Sequence, residues 1–163
     1  MIRQKVSEIM STSVVTFRSD TDIYEAIGVF VKKRFSGAPV IDDDIKVVGI
    51  LSELDCLRVL TGEAWDGLPE GKVGNYMTSP VATVRADTSI YDVVGRFLTQ
   101  PYRRLPVLDE NERLVGQVSR RDVLVAIDGM RENPYLYGAE DHQLDLEDGA
   151  GGVHSAMQRA RDL

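Results

Sequence analysis

A chain of 163 residues with 43% apolar and 28% charged residues has an ordinary globular composition. Its apolar runs reach only five or six residues, against about twenty for a membrane helix, and the opening MIRQKVSEIM lacks the apolar core of a signal peptide. A net charge of −7 and a pI near 4.8 argue against broad nucleic-acid binding, and a single cysteine excludes an internal disulfide, so a cytoplasmic location is expected.

In chain order, Val14 to Phe17 is a short β-rich run. Ile23, Ala26, Ile27, Phe30 and Val31 then fall at i, i+3, i+4, i+7 and i+8, the stripe of an amphipathic helix. Asp20-Thr21 supplies its candidate N-cap. Ala38 to Ile41, an Asp-rich turn and Val47 to Leu51 read as a hairpin, and a helix follows from about Glu53 to Leu60. The stretch Thr61 to Lys72 carries three glycines and a proline and reads as a linker. Its Trp65 is a candidate anchor to the core or to a partner.

The pattern then repeats. Residues 5–57 align with 72–124 at a constant offset of 67, with about 20 identities in 53 positions. The second helix stripe is Ile90, Val93, Val94, Phe97 and Leu98, with Asp87-Thr88 as its candidate cap. The second hairpin is Leu105 to Leu108 and Leu114 to Val118, and its helix runs from Arg120 to Ile127. From Gly129 to Leu163 there are seven acidic and three basic residues, which account for −4 of the charge. This segment reads as a flexible acidic tail, with Gly149 to Gly152 as a joint.

Both histidines, His142 and His154, lie in the tail, so the folded part can hold neither a Ser–His or Cys–His catalytic pair nor a histidine metal site. Cys56 sits between apolar residues with no partner base and reads as a packed side chain. GLPEGK at 67–72 is one residue short of a Walker A loop and lacks its Ser or Thr. Asp42-Asp43-Asp44 suits a hairpin turn better than an EF-hand, because Val47 stands where that loop needs glycine. No catalytic residues, metal site or required cofactor are expected, and the chain is not read as an enzyme.

Ser52-x-x-Asp55 and Ser119-x-x-Asp122 open the closing helices of the two copies. Each is a capping box, which by itself explains the residues. The same helix N-terminus also offers free N–H groups to a phosphate, and an Asp carboxylate can accept both hydroxyls of a ribose. Arg103-Arg104 precede Leu105-Pro106 where the first copy has Ser36-Gly37, and Arg120-Arg121 lie within the second signature where the first has Glu53-Leu54. Guanidinium groups grip phosphate in a bidentate manner. They are also compatible with a solvated patch or with ion pairs to the acidic tail.

The openings VSEIMSTSVVTF and VGNYMTSPVATV, the central SGAPVID and RRLPVLD, and the closings GILSELDCL and GQVSRRDVL together resemble a tandem pair of cystathionine-β-synthase (CBS) domains, a Bateman module. Gln117 departs from that pattern, where an apolar residue is usual. The resemblance implies an α+β fold of two β-α-β-β-α repeats in a pseudo-two-fold pair. The copies would span 2–60 and 72–128, joined by linker 61–71 and followed by tail 129–163. It also implies a stand-alone regulatory module that binds AMP, ADP or ATP, forms a homodimer and modulates a partner protein, without contact with membrane or nucleic acid. An S-adenosylmethionine sensor and a ligand-independent dimerisation scaffold are the alternatives.

The family's crossed geometry maps two ligand sites onto this chain. Site A takes Ser119, Arg120 and Asp122 with Arg103 and Arg104 from the second copy, and Met10, Val14, Val15, Phe35, Ser36 and Gly37 from the first. Site B takes Ser52 and Asp55 with Met77, Val81, Ala82, Tyr102 and Arg103. Site A, with its arginines, is the expected main site. Site B, with Glu53 nearby, is expected to be weaker or empty.

Overall fold

The computed structural model describes residues 4–61 and 70–132. The acidic tail beyond 132 and Trp65 lie outside the described residues, as do both histidines. In the first copy a 3-10 turn, Val6–Glu8, precedes α1 (Ile23–Lys33), the hairpin β1 (Gly37–Ile41) and β2 (Val47–Ser52), and α2 (Glu53–Leu57), which runs on as a 3-10 turn through Arg58–Thr61. The second copy comprises α3 (Val73–Tyr76), β3 (Val84–Arg85), α4 (Ile90–Thr99), β4 (Arg104–Leu108), β5 (Leu114–Ser119) and α5 (Arg120–Glu132).

Each copy places an antiparallel hairpin against two helices. β1 pairs with β2 from Gly37↔Ser52 to Ile41↔Val47, and β4 pairs with β5 from Arg104↔Ser119 to Leu108↔Leu114, with a register shift one residue before the end of each first strand. The turns are built alike. Asp42 Oδ1 accepts from the amides of Asp44 and Lys46, and Asp109 Oδ1 accepts from those of Asn111 and Arg113. The acidic turn is thus a hairpin device, as its sequence suggests.

The opening strand differs between the copies. β3 runs parallel to β4, pairing Val84 with Val107 and Arg85 with Leu108, whereas the expected strand at Val14 to Phe17 shrinks to the single bridge Phe17↔Val40. The helix caps also fall later than expected. Asp22 accepts from the amides of Tyr24 and Glu25, and Ser89 accepts from that of Asp92. Thr21 and Thr88 instead close the preceding turns, accepting from the amides of Arg18 and Arg85. The chain must turn before it can enter each helix, and the threonines serve that turn. At the other end, α5 continues to Glu132, past the expected Ile127, and buries Met130.

The two copies exchange their opening segments. Val6, at the start of the first copy, is fully buried in the second core beside Val84, Ile90, Phe97 and Val118. Val73, at the start of the second, is fully buried in the first core beside Phe17, Ile23, Phe30 and Leu51. Backbone bonds fix both crossings: Val6 N to Thr88 O and Ile90 N to Gln4 O on one side, Val73 N to Thr21 O and Ile23 N to Gly71 O on the other. Each buried valine contributes about 1.5–2 kcal/mol of transfer free energy to a core that its own copy does not form. The pair therefore folds as a unit.

The amphipathic stripes are wider than the cores they cover. Ile23, Ala26 and Phe30 of α1 are buried, but Val31 is 75% exposed; Ile90, Val93 and Phe97 of α4 are buried, but Leu98 is 81% exposed. Leu57 and Leu124, on α2 and α5, are exposed beside them. A matching apolar groove therefore remains on the outer side of each copy, between its two helices.

Candidate functional site

The two signatures sit where a hairpin ends and a helix begins. In each, the serine is both the last strand residue and the N-cap. Ser119 Oγ accepts from Asp122 N at 3.2 Å, while Asp122 Oδ2 accepts from Ser119 N and Ser119 Oγ, both at 2.7 Å. Ser52 and Asp55 repeat this box at 3.2, 2.9 and 2.6 Å. The capping role of both pairs is thus real.

The crossed opening segments reach these signatures. Ser11 N donates to Gln117 O and Gln117 N donates to Ser11 O, both at 2.9 Å, so the residue after Met10 pairs with β5 two positions before Ser119. Met10 itself covers Gly116. By the same symmetry Thr78 exchanges bonds with Ile50, and Met77 covers Gly49. The pre-proline stretches are held differently. Glu53 N donates to Ser36 O and Arg120 N donates to Arg103 O, each at 3.1 Å, so each stretch lies on the signature of its own copy. Ser36 and Gly37 are thereby brought to Ser52, and Arg103 and Arg104 to Ser119. The hairpin register forces this, because Gly37 stands opposite Ser52 and Arg104 opposite Ser119.

Of the remaining candidates, Val14, Val15, Val81 and Ala82 are half-buried, with Val15 against the first core and Ala82 against the second. Phe35 also packs on the first core, and Tyr102 is 38% exposed next to Arg103. Arg120 lies with its guanidinium 6.0 Å from the Phe97 ring centre, on the outer groove of α4 and α5. Arg103 and Arg104 form no ion pair among the described residues. Their positive charge at the entrance to α5 adds to that helix's own positive end.

The two carboxylates differ in what surrounds them. Asp122 is half-buried, and its Oδ1 accepts no hydrogen bond from the described residues. Asp55 is only 4% exposed, and its Oδ1 accepts from Arg58 Nη1 at 2.8 Å and from Thr78 Oγ1 at 3.3 Å. Neither Arg58 nor Thr78 is among the residues anticipated from the sequence. The signal was present for Arg58, which follows Asp55 by three positions on a helical turn and faces Val125 in the repeat alignment. Nearby, burial, with the charges of Asp55 and Glu53, pushes the Cys56 thiol up, the opposite of an activated nucleophile. No group of three or more His, Cys, Asp or Glu side chains that could hold a metal occurs among the described residues.

The CBS domain profile matches the chain twice, at residues 6–62 and 73–129, the two copies described above. The chain belongs to the CBS domain family. The paired CBS architecture recurs in solved structures. CBSX2 of Arabidopsis thaliana, solved in complex with AMP, is 28% identical with a TM-score of 0.69, over 78% of this chain and 98% of that one. The CBS domain pair of protein MJ0100, in complex with 5′-methylthioadenosine and S-adenosyl-L-methionine, is 25% identical with a TM-score of 0.65, over 77% and 97%. In sequence, the uncharacterized protein MJ1225 of Methanocaldococcus jannaschii is 33% identical over 124 residues, 76% of this chain but 42% of that protein. The chain thus spans under half the length of that relative. The chloroplastic CBSX1 of Arabidopsis thaliana is 31% identical over 131 residues, 65% of this chain and 56% of that protein. No described helix is long and apolar enough to cross a membrane.

Proposed function

We propose that this CBS pair is a regulatory sensor that binds a phosphorylated adenosine compound, AMP, ADP or ATP, at site A and modulates a partner protein in the cytoplasm. One observation carries the reading: at the N-terminus of α5, an Asp122 carboxylate whose Oδ1 accepts no hydrogen bond from the described residues, with Arg104 opposite Ser119 on the hairpin and neither Arg103 nor Arg104 in an ion pair among the described residues. That oxygen suits the two ribose hydroxyls. The arginines and helix end suit the phosphate. Met10 and the half-buried Val14 and Val15 offer apolar surface to the adenine. The AMP complex of CBSX2 supports this ligand class, and the complex of MJ0100 makes S-adenosylmethionine the competitor to be tested.

The sensor acts as a homodimer in this reading. The grooves of Ile27, Val31 and Leu57 on one copy and Val94, Leu98 and Leu124 on the other are the same positions, 67 residues apart. Two equivalent apolar grooves on a pseudo-two-fold molecule fit a second copy of the chain, whose own two grooves would meet them isologously.

Titration calorimetry of the full chain with AMP, ADP, ATP and S-adenosylmethionine tests the ligand. Binding of the phosphorylated compounds is expected. Binding of S-adenosylmethionine alone would overturn the role of the arginines, and a flat panel after removal of co-purified nucleotide would leave a ligand-independent scaffold.

A further inference from the structure

We infer that the second of the two clefts is closed by the chain itself, with Arg58 and Thr78 occupying the Asp55 carboxylate that would otherwise receive a ribose. The inference rests on reading Asp122 as a ribose acceptor and asks what happens to its twin. A carboxylate has about four lone-pair directions, two on each oxygen. Asp55 has filled all of them: Ser52 N and Ser52 Oγ on Oδ2, Arg58 Nη1 and Thr78 Oγ1 on Oδ1. Among the described residues, Asp122 has partners only on Oδ2, the amide and hydroxyl of Ser119. A cis-diol must bring two donors to one carboxylate, so Asp122 can accept it and Asp55 cannot without first losing a charged partner.

The difference traces to two substitutions between the copies. Arg58 of the first copy stands where the second has Val125, and Thr78 of the second copy, crossed onto the first, stands where the first has Ser11. Valine offers no donor, and Ser11 makes no hydrogen bond to Asp122. Burial reinforces the closure. Asp55 is 4% exposed, and a carboxylate so deeply placed is held by its cation, because leaving it unpaired is costly. Across the hairpin, Gly37 supplies no cation where Arg104 faces Ser119, so a phosphate entering site B would also find no replacement charge there. Arg58 thus sets the number of ligands: one for each chain, at site A.

Calorimetry with AMP on the full chain tests this through Arg58→Val, which copies the residue of the second domain, and through Asp122→Ala. Wild type should bind one AMP per chain and R58V two. The double variant R58V/D122A should bind one AMP, at least about tenfold more tightly than D122A alone. D55A needs no opening of the site and serves if R58V does not fold; it should leave the AMP stoichiometry and affinity of wild type unchanged. Two AMP per wild-type chain, a loss of one in D55A, or a folded R58V that gains no site would overturn the closure. If wild type binds none while R58V binds one, the closure stands and the assignment of site A falls. If neither binds, both fall.

Discussion

Met10 lies against Gly116 so closely that a Cβ built on the glycine would stand 2.6 Å from its sulfur. That contact joins the first segment of one CBS copy to the hairpin of the other, three positions before Ser119 of the Ser119–Asp122 signature. The same Cβ would come within 2.9 Å of the Ser11 carbonyl oxygen, which is fixed by its exchange of bonds with Gln117. At the equivalent Gly49 the crowding comes from the Met77 side chain, which can swing aside. Gly116→Ala should therefore cost about 1–3 kcal/mol through overpacking, and Gly49→Ala less than half as much. Urea unfolding of the two variants checks this order; equal losses would contradict it.

Arg104 faces Ser119 across the hairpin and has no acidic partner among the described residues. Arg104→Ala should weaken AMP binding by about 1–3 kcal/mol, the range of a charged hydrogen bond. It should leave adenosine binding nearly unchanged, because adenosine has no phosphate. Comparing the two ligands by calorimetry separates a phosphate contact from general disturbance of the cleft. An equal loss for both would remove Arg104 from the phosphate site.

Much of this was legible in the sequence, for identifiable reasons. The repeat at offset 67 disclosed two copies, and local patterns disclosed the hairpins and capping boxes, because those depend on neighbours a few residues away. The later caps at Asp22 and Ser89 were missed because Asp20-Thr21 and Asp87-Thr88 satisfy the same local rule and are used for turns instead. The occupation of Asp55 was missed for a different reason. Thr78 lies 23 residues away, and only the crossing of the opening segments brings it to the carboxylate. The stripe residues Val31 and Leu98 look like core in a helical pattern, and only the finished packing shows them turned outward.

Those two residues give a test of assembly. The full chain should run at twice its monomer mass in light scattering. Val31→Asp with Leu98→Asp, both on exposed positions, should leave the circular dichroism unchanged and bring the mass to that of a monomer. A persistent dimer would place the interface elsewhere.

Cys56 supplies a pH test. Burial, then the negative charges of Asp55 and Glu53, raise its thiol above the ordinary range. The native state thus favours the protonated thiol. The stability this contributes is complete below the unfolded thiol pKa and is lost as pH climbs through the raised native value. At pH 8 the native protein holds less thiolate than the unfolded chain. Alkylation by iodoacetamide should be slow in buffer and several-fold faster in urea. Equal rates would show that Cys56 is neither shielded nor raised.

The central claim is that Asp122 holds a ribose that carries phosphate, and thermal unfolding with and without about 1 mM AMP tests it most directly. A ligand at 100 times its dissociation constant adds about 2.7 kcal/mol, or several degrees for a chain of this size. Wild type should show that shift. Asp122→Ala should lose the shift while unfolding only a few degrees lower without ligand, since the variant also forfeits about 1 kcal/mol of capping. An AMP shift of the same size in Asp122→Ala, or none in wild-type protein freed of bound nucleotide, would contradict the account.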